Sequence, residues 1–360
     1  MATATARPTT RPRRRLELTT VIPWVLGVAL VAVSVVGAFN SVTSGRLSAA
    51  QWRDVVTFGL GLGATYGLIA LGYTMVYGVL GFINFAHGEV FMSGAMIGLI
   101  AAQQLVRLGL WNRQPFLSLF IVLIVCMATS ASVAVLLERV AYRRLRAAPR
   151  LIPLITSIGA SFTLQYLFAG LFGAAFKPFP TVSALQGSYR ILGIPILRTQ
   201  FWVIVIGVVM MVLLYQFVER TKTGRAMRAV AEDKEIAALM GIDVDRTIVT
   251  TFAVGGAMAG VAALLYALSF RTVFFLMGFL PGIKAFTSAV LGGIGNIVGA
   301  MVGGLVLGML ESLGPSLVLT GLGIPSAHQL KDVVAFLALI LVLIFKPTGI
   351  LGERLAEERA

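Results

Sequence analysis

Long apolar segments dominate this sequence and constrain its fold more than any other feature. Apolar residues make up 58% of the 360 residues and charged residues only 12%, whereas a soluble domain carries about 25% charged residues. A water-soluble fold could not bury this much apolar surface, so lipid must be the solvent for most of the chain. The sequence therefore predicts an all-α, polytopic membrane protein.

Nine segments approach or exceed the length of about 20 apolar residues that a helix needs to cross a membrane. The eighth contains Gly292, Gly293, Gly295 and Asn296 in its middle, and these residue types break a helix readily. Two short helices meeting there would raise the number of crossings to about ten. The segments are roughly 22–39, 57–82, 90–106, 117–137, 152–176, 201–218, 247–270, 285–310 and 333–345.

The distribution of basic residues predicts the orientation. The chain has 29 Lys and Arg against 15 Asp and Glu, and cytoplasmic loops of membrane proteins are enriched in Lys and Arg. With the N-terminus in the cytoplasm and ten crossings, 19 of the 29 lie inside, in the first 20 residues, the 138–150 and 219–246 loops and the stretch 346–360. Only one aromatic residue, Tyr142, lies within the basic clusters, so nucleic acid is not an expected partner.

This pattern divides the chain into three parts. An Arg-rich cytoplasmic arm covers 1–20, a transmembrane domain covers 21–352 and includes the cytoplasmic loop 219–246, and a cytoplasmic tail covers 353–360. The expected location is the cell (inner) membrane, with the chain crossing it many times and contacting lipid. Glycines recur at close spacing around 59–72 and 299–308, which predicts helices whose backbones approach closely.

Motifs for catalysis are not present in the sequence. It has no phosphate-binding G-x-x-x-x-G-K-[ST] loop, no metal-ligand spacing around its two histidines, and a single cysteine, Cys126. We therefore expect no enzyme activity, no metal site and no cofactor in this chain. Acidic residues and histidines are almost absent from the apolar runs, which disfavours a stand-alone secondary carrier or channel.

A polar break joins the second and third apolar segments and is the first candidate site. Asn84 can cap the following helix, and Glu89 suits the positive end of its dipole. Alternatively, Asn84, His87, Gly88 and Glu89 line the path or gate of a transported substrate. Asn296 belongs to a similar glycine-rich break later in the chain, and paired breaks of this kind often line a transport path.

The charged loop 219–246 is the second candidate site. Asp233 can cap a short helix that carries Ile236, Leu239 and Met240 on one face, and Gly241 can end it. A short amphipathic helix on the cytoplasmic side suits docking into a groove of another protein, although a solvated hairpin would have the same pattern.

Several motifs together resemble the LivH-type permeases of branched-chain amino-acid ATP-binding cassette (ABC) importers. The resemblance covers about residues 55–352, whereas the first 50 residues match no motif. One departure lies at Glu235, where E-I-A-A-x-x-G stands for the general permease pattern E-A-A-x-x-x-G. The matching motifs are ATYGLIALG at 64–72, INFAHGE at 83–89, TGRAMRAVAED at 223–233, LMGI at 239–242, LGGIGN at 291–296 and KPTGILG at 346–352.

The resemblance implies an ABC importer permease fold and a role as a subunit that moves branched-chain amino acids across the membrane. It implies a LivM-type partner permease, two ABC ATPase subunits that use the ATP, and a periplasmic or extracellular substrate-binding protein. It also implies that the 219–246 loop couples to the ATPases, through Arg228, Glu235, Ala237, Ala238 and Gly241. Urea or short-chain amides are the alternative substrates, because permeases for them share much of this pattern.

Overall fold

The computed structural model describes residues 18–352 except positions 46, 147, 150, 192 and 347. Most of the predicted arm and the whole tail, at 353–360, lie outside the described residues. The first helix already begins at Leu18, so residues 18–20 belong to this helix and not to the arm.

Helices form almost all of the described structure. Short π-helical or 3-10 turns extend several of them, and the strands are confined to two small antiparallel pairs. The helices are α1 (Leu18–Thr43), α2 (Ala49–Leu80), α3 (His87–Arg107), α4 (Leu110–Arg113), α5 (Pro115–Leu137), α6 (Leu151–Phe172), α7 (Arg198–Arg220), α8 (Lys222–Glu232), α9 (Lys234–Leu239), α10 (Val244–Phe270), α11 (Phe279–Gly292), α12 (Ile297–Gly314) and α13 (Lys331–Phe345). The strands are β1 (Lys177–Pro178), β2 (Ser188–Ile191), β3 (Ile194–Leu197) and β4 (Thr272–Val273).

Within the described residues, eight helices are long and apolar enough to cross a membrane, and two shorter apolar helices accompany them, at Gly27–Thr43 and Phe279–Gly292. This all-helical architecture confirms the predicted class. The eighth predicted segment is divided as expected: α11 ends at Gly292, the chain turns through Gly293 (φ 111°) and Gly295 (φ 94°), and α12 begins at Ile297.

Helix α2 lies at the centre of the bundle. Ser48 and Gln51 form a capping box at its start, and Gly81, in the left-handed conformation at φ 78°, ends it. Between Leu62 and Val76 every residue is buried. The helix is buried on all sides by α3, α7, α10, α11 and α12. This burial requires apolar residues around its whole circumference.

The contact between α2 and α12 is made by backbone against backbone. A Cβ added to Gly304 would overlap the backbone of Gly67, and one added to Gly308 would overlap that of Gly63. The order of these contacts makes the two helices antiparallel. Apolar burial does not drive helices together in lipid, so close van der Waals contact between glycine surfaces has to do so.

The first half of α1, the end of α13 and the α8–α9 segment lie at the same end of the bundle. The Nζ of Lys234 donates to the carbonyl of Leu80 at the C-terminal end of α2, at 3.4 Å. The amide of Ile350 donates to Leu291 beside the α11–α12 turn, at 2.8 Å, and Gly27 near the start of α1 lies against Phe345 at the end of α13. These contacts place the α8–α9 segment, the α11–α12 turn and the end of α13 at one end of the bundle.

The opposite end carries the strands. Strand β1 pairs with β4, and β2 and β3 form a hairpin that leads into α7. The indole of Trp111, between α3 and α5, donates to the carbonyl of Thr181 at 3.0 Å. These connections tie together the loops on the side that the charge distribution assigns to the outside.

We expect Gly308→Ala to lower the free energy of unfolding by about 1–3 kcal/mol, because the new methyl would push α2 and α12 apart. Gly159 on α6 is the matched control, since no atom lies within 4 Å of a Cβ added there. Gly159→Ala should leave stability unchanged or raise it by about 0.5–1 kcal/mol. Thermal unfolding of both purified variants measures the difference, and equal midpoints would contradict the packing argument.

Candidate functional site

The polar break between α2 and α3 is buried inside the bundle. Asn84 is 2% exposed, and its Oδ1 accepts hydrogen bonds from the amide of Ala86 at 3.1 Å and from the hydroxyl of Tyr142 at 2.6 Å. The prediction that Asn84 caps α3 is wrong, because the helix begins at His87 and the residue at the cap position is Ala86. Asn84 instead closes a local turn and ties it to the end of α5 through Tyr142.

His87 and Gly88 lie deeper, where three helices meet. The imidazole of His87 packs edge-on against Tyr73, with ring centroids 4.8 Å apart, and faces Gly72 so closely that any side chain there would collide with it. Its Nε2 is buried without a hydrogen-bond partner. Gly88 is in backbone contact with Gly278 at the start of α11. A side chain at Gly88 or at Gly278 would therefore collide with the other backbone.

Glu89 connects the break to α6. As expected, it lies in the first turn of α3, and it is 1% exposed. One carboxylate oxygen accepts hydrogen bonds from Gln165 at 2.7 Å and Ser161 at 3.3 Å, while the other has no partner. Ser157 on the same helix donates to the carbonyl of Ile83 at 3.3 Å. Polar contacts therefore hold α6, which otherwise packs only lightly on the bundle.

The second break lies beside the first. A narrow cleft between them is lined by Tyr73 and Ile83 on one side and by Phe286 and Ile294 on the other. Asn296 caps α12 by accepting from the amide of Gly299 at 2.9 Å, and its Nδ2 donates to Leu351 at 3.0 Å. Its described hydrogen bonds thus hold the α11–α12 turn and the end of the chain.

The α8–α9 segment folds as the sequence predicts. The Asp233 carboxylate accepts from the amides of Glu235 at 2.8 Å and Ile236 at 2.9 Å, which caps α9. Gly241 follows α9 in the left-handed conformation at φ 84°. The side chains of Ile236, Leu239 and Met240 are 59%, 86% and 78% exposed, so a large apolar face of α9 lies open.

The remaining candidate residues of this segment divide into exposed and supporting ones. Glu235 and Ala238 are exposed, whereas Ala237 is 3% exposed and packs inward against the rest of the chain. Arg228 lies 3.2 Å from Glu219 and also binds the carbonyl of Val218 at the end of α7. Burial and the nearby Arg146 lower the pKa of Lys234. Ala237, Arg228 and Lys234 therefore fasten α8 and α9 to the bundle.

A cluster of charges beside this segment was not anticipated. Arg146 bridges the buried carboxylate of Glu138 and the carboxylate of Asp245, and Arg143 binds Asp245 at 2.6 Å. From the sequence, these arginines were expected only to mark the 138–150 loop as cytoplasmic. They also hold the 138–150 loop against the first turn of α10.

A second buried network was missed by the sequence analysis. Lys284 on α11 lies 2.7 Å from Glu311 on α12 and 2.6 Å from Asp332 on α13, and the hydroxyl of Tyr66 donates to Glu311 at 3.0 Å. Lys284 and Glu311 are 5% and 2% exposed at their side chains. Both flank the predicted segment 285–310, so the break in its middle is the sequence signal that could have placed them at the same end of the bundle. Which partners they bind depends on the tertiary structure.

Among the described residues, no group of three or more His, Cys, Asp or Glu side chains could hold a metal ion.

Comparison with known proteins gives consistent similarities. Residues 55–343 match the family described as branched-chain amino acid transport system, permease component. The chain is 45% identical to the high-affinity branched-chain amino acid transport system permease protein BraD of Pseudomonas aeruginosa and 41% identical to LivH of Escherichia coli K12. Each similarity extends over 298 residues, or 82% of this chain and 94% of the relative. Among solved structures, PsaBC from Streptococcus pneumoniae in complex with Fab aligns with a TM-score of 0.44 and 12% identity, over 86% of this chain and 96% of that one.

We expect Lys284→Met to lower the free energy of unfolding by about 3–5 kcal/mol, because it leaves the Glu311 carboxylate buried without its closest cation. The double variant Lys284→Met/Glu311→Leu should recover part of this loss, since no isolated buried charge remains there. Arg53→Met, which removes an exposed ion pair with Asp54, is the control and should change stability by less than about 1 kcal/mol. Thermal unfolding measures all three, and a double variant no better than the single one would refute the argument.

Proposed function

The chain belongs to the family of permease components of branched-chain amino-acid transport systems, and from this premise we propose how its parts work. It is a multi-pass membrane permease, the non-catalytic transport subunit of an ABC system. In our proposal it pairs with a second, LivM-type permease, and two separate ATPase subunits hydrolyse the ATP. A substrate-binding protein outside the membrane delivers leucine, isoleucine or valine.

The observation that carries this mechanism is the open apolar face of α9. Leu239 and Met240 are 86% and 78% exposed, and they lie beyond the end of α2, next to the charged residues of α8, where lipid tails do not cover them. Large apolar side chains that are exposed to water mark a protein-docking surface. We assign this surface to the ATPase subunit.

In this proposal, contacts with the membrane helices hold α9 rigidly, so that it moves together with them. Lys234 joins it to the end of α2, Arg228 joins α8 to the end of α7, and Asp243 caps α10 by accepting from the amide of Arg246 at 2.9 Å. Because each end of the segment is fixed to a membrane helix, a displacement of α9 moves these helices and not only a loop. Closure of the ATPase dimer can thereby switch the permease between two states.

The path or gate is proposed at the break between α2 and α3. The Nε2 of His87 and one oxygen of Glu89 are buried without partners, and a buried polar atom without a partner costs about 1–3 kcal/mol. A second conformation that supplies these partners recovers this cost, which offsets part of the free energy of the conformational change. Helix α6 is the mobile element in this scheme, because the Ser161 and Gln165 contacts with Glu89 supply much of its attachment.

Leu239→Gln is expected to weaken ATPase binding and amino-acid uptake at least about tenfold, because it places a polar group in the centre of the docking surface. Stability should not change, since the side chain is already 86% exposed. Thr223→Gln on the exposed part of α8 is the matched control. Co-purification of the ATPase and uptake into reconstituted vesicles are the measurements. Normal coupling in Leu239→Gln, or an equal loss in Thr223→Gln, would contradict this assignment.

A second experiment tests the gate. Asn84→Ala and His87→Ala are expected to lower uptake per assembled complex at least about tenfold, while assembly and basal ATP hydrolysis persist. Ser118→Ala is the control, because it removes a hydrogen bond to Leu110 at the opposite end of the bundle and should lower stability only, by about 1 kcal/mol. Uptake of labelled leucine is normalised to the amount of complex. If all three variants retain uptake, the break is a structural turn.

A further inference from the structure

A cavity of about 460 Å³ lies at the end of the bundle opposite the α8–α9 segment. Its walls come from the first turns of α2 and α7, the last turns of α12 and the region before α13. Sites for small molecules occupy about 300–1,000 Å³, so the cavity is large enough for an amino acid. Since the α8–α9 segment marks the cytoplasmic end in the proposed topology, the cavity opens toward the side from which substrate arrives.

Charges of both signs line this cavity or lie directly behind it. Glu311 lines the wall, and its carboxylate lies 3.6 Å from the Nζ of Lys331, which also faces the cavity. Behind them, Lys284 binds Glu311 and Asp332. Asp54 also lines the cavity and is paired with Arg53 at 2.9 Å. The three cations and three carboxylates balance, so a zwitterion can enter without adding net charge to the site. Lys331 is 44% exposed at its side chain and is thus free to turn toward a ligand.

An unpartnered amide lies in the wall of the same cavity. Gln200 on the first turn of α7 is 7% exposed and lines the cavity, and its Oε1 is buried against Gly61 of α2 without a hydrogen-bond partner. A buried carbonyl oxygen without a donor is costly unless a bound molecule or water supplies one. An ammonium group supplies such donors once the amide turns from Gly61 toward the cavity.

Apolar side chains form the rest of the cavity wall. Phe58 and Leu62 on α2 and Leu197 before α7 face the same space. An α-amino acid with a branched apolar side chain has an anion, a cation and an aliphatic group within a few bonds of one another, and this wall offers a partner for each. Urea and short amides carry no such pair of charges.

We propose that this cavity is a transit site for the zwitterionic head of the transported amino acid. Lys331 receives the carboxylate, Gln200 and Glu311 receive the ammonium group, and Phe58 and Leu62 contact the aliphatic side chain. The site rests on the proposed function, because it takes the same substrate, and it adds a binding step between release from the binding protein and passage through the gate.

The experiment measures equilibrium binding of radiolabelled leucine to the full-length permease, purified as its complex and placed in lipid nanodiscs without the substrate-binding protein. Wild type should show saturable binding. Leucinamide, which lacks the carboxylate, and 4-methylpentanoate, which lacks the ammonium group, should compete at least about tenfold more weakly than leucine, because each loses a charged contact. Urea should not compete.

Variants separate a binding role from a structural one. Lys331→Gln and Gln200→Leu should each weaken leucine binding at least about tenfold, and Lys331→Arg should retain it. Arg190→Gln, at an exposed basic residue of the β2–β3 hairpin outside the cavity, is the control and should bind as wild type does. Thermal unfolding is measured beside binding, because Gln200→Leu replaces an unsatisfied amide and should not destabilise the fold.

Two results would overturn the transit site: no saturable binding by wild type, or binding by Lys331→Gln and Gln200→Leu equal to that of Arg190→Gln. Leucine uptake by the complete wild-type system is measured in the same preparation. If uptake occurs and the site variants bind normally, only the transit site is wrong. If the complete system does not take up branched-chain amino acids, the proposed function itself fails.

Discussion

Direct contact between the backbones of α2 and α12 is the constraint on which the rest of the structure depends. Lipid offers no hydrophobic gain for burying one apolar helix against another, so association relies on close, extensive van der Waals contact. Gly63, Gly67, Gly304 and Gly308 allow this contact because they have no side chains. The result is a central helix that is buried on every side and serves as the fixed element of the bundle.

The fixed centre determines where polar groups can be placed. Helix α2 ends at Gly81 beside the buried break with Asn84 and Glu89, and the cavity with Lys331 lies at its other end. Asn84 and Glu89 are buried by neighbouring helices, which is the condition under which irregular backbone and charge are tolerated at membrane depth. Helix α6 lies at the periphery, and polar contacts with Glu89 supply much of its attachment.

Much of the architecture could be predicted from local signals. Apolar segment length predicts the membrane helices, and the turn at Gly293 and Gly295 requires positive φ, which glycine adopts at little cost. The cap at Asp233 and the stop at Gly241 were likewise predicted, because both depend on neighbouring residues only. The prediction that Asn84 is a helix cap failed for the converse reason. Its side chain binds Tyr142, 58 residues away in the chain, and no local pattern contains that partner.

The sequence by itself therefore determined that most of the chain lies in lipid. It also determined the number of apolar helices, the positions of the breaks and the resemblance to amino-acid permeases. These depend on composition, periodicity and short motifs. Only the tertiary structure decided which face of α9 is open, because Ala237 packs inward while Leu239 stays exposed. It also decided that Lys284, Glu311 and Asp332 form one network. Burial and ion pairing depend on distances between helices, and these distances are set by glycine contacts that no single segment specifies.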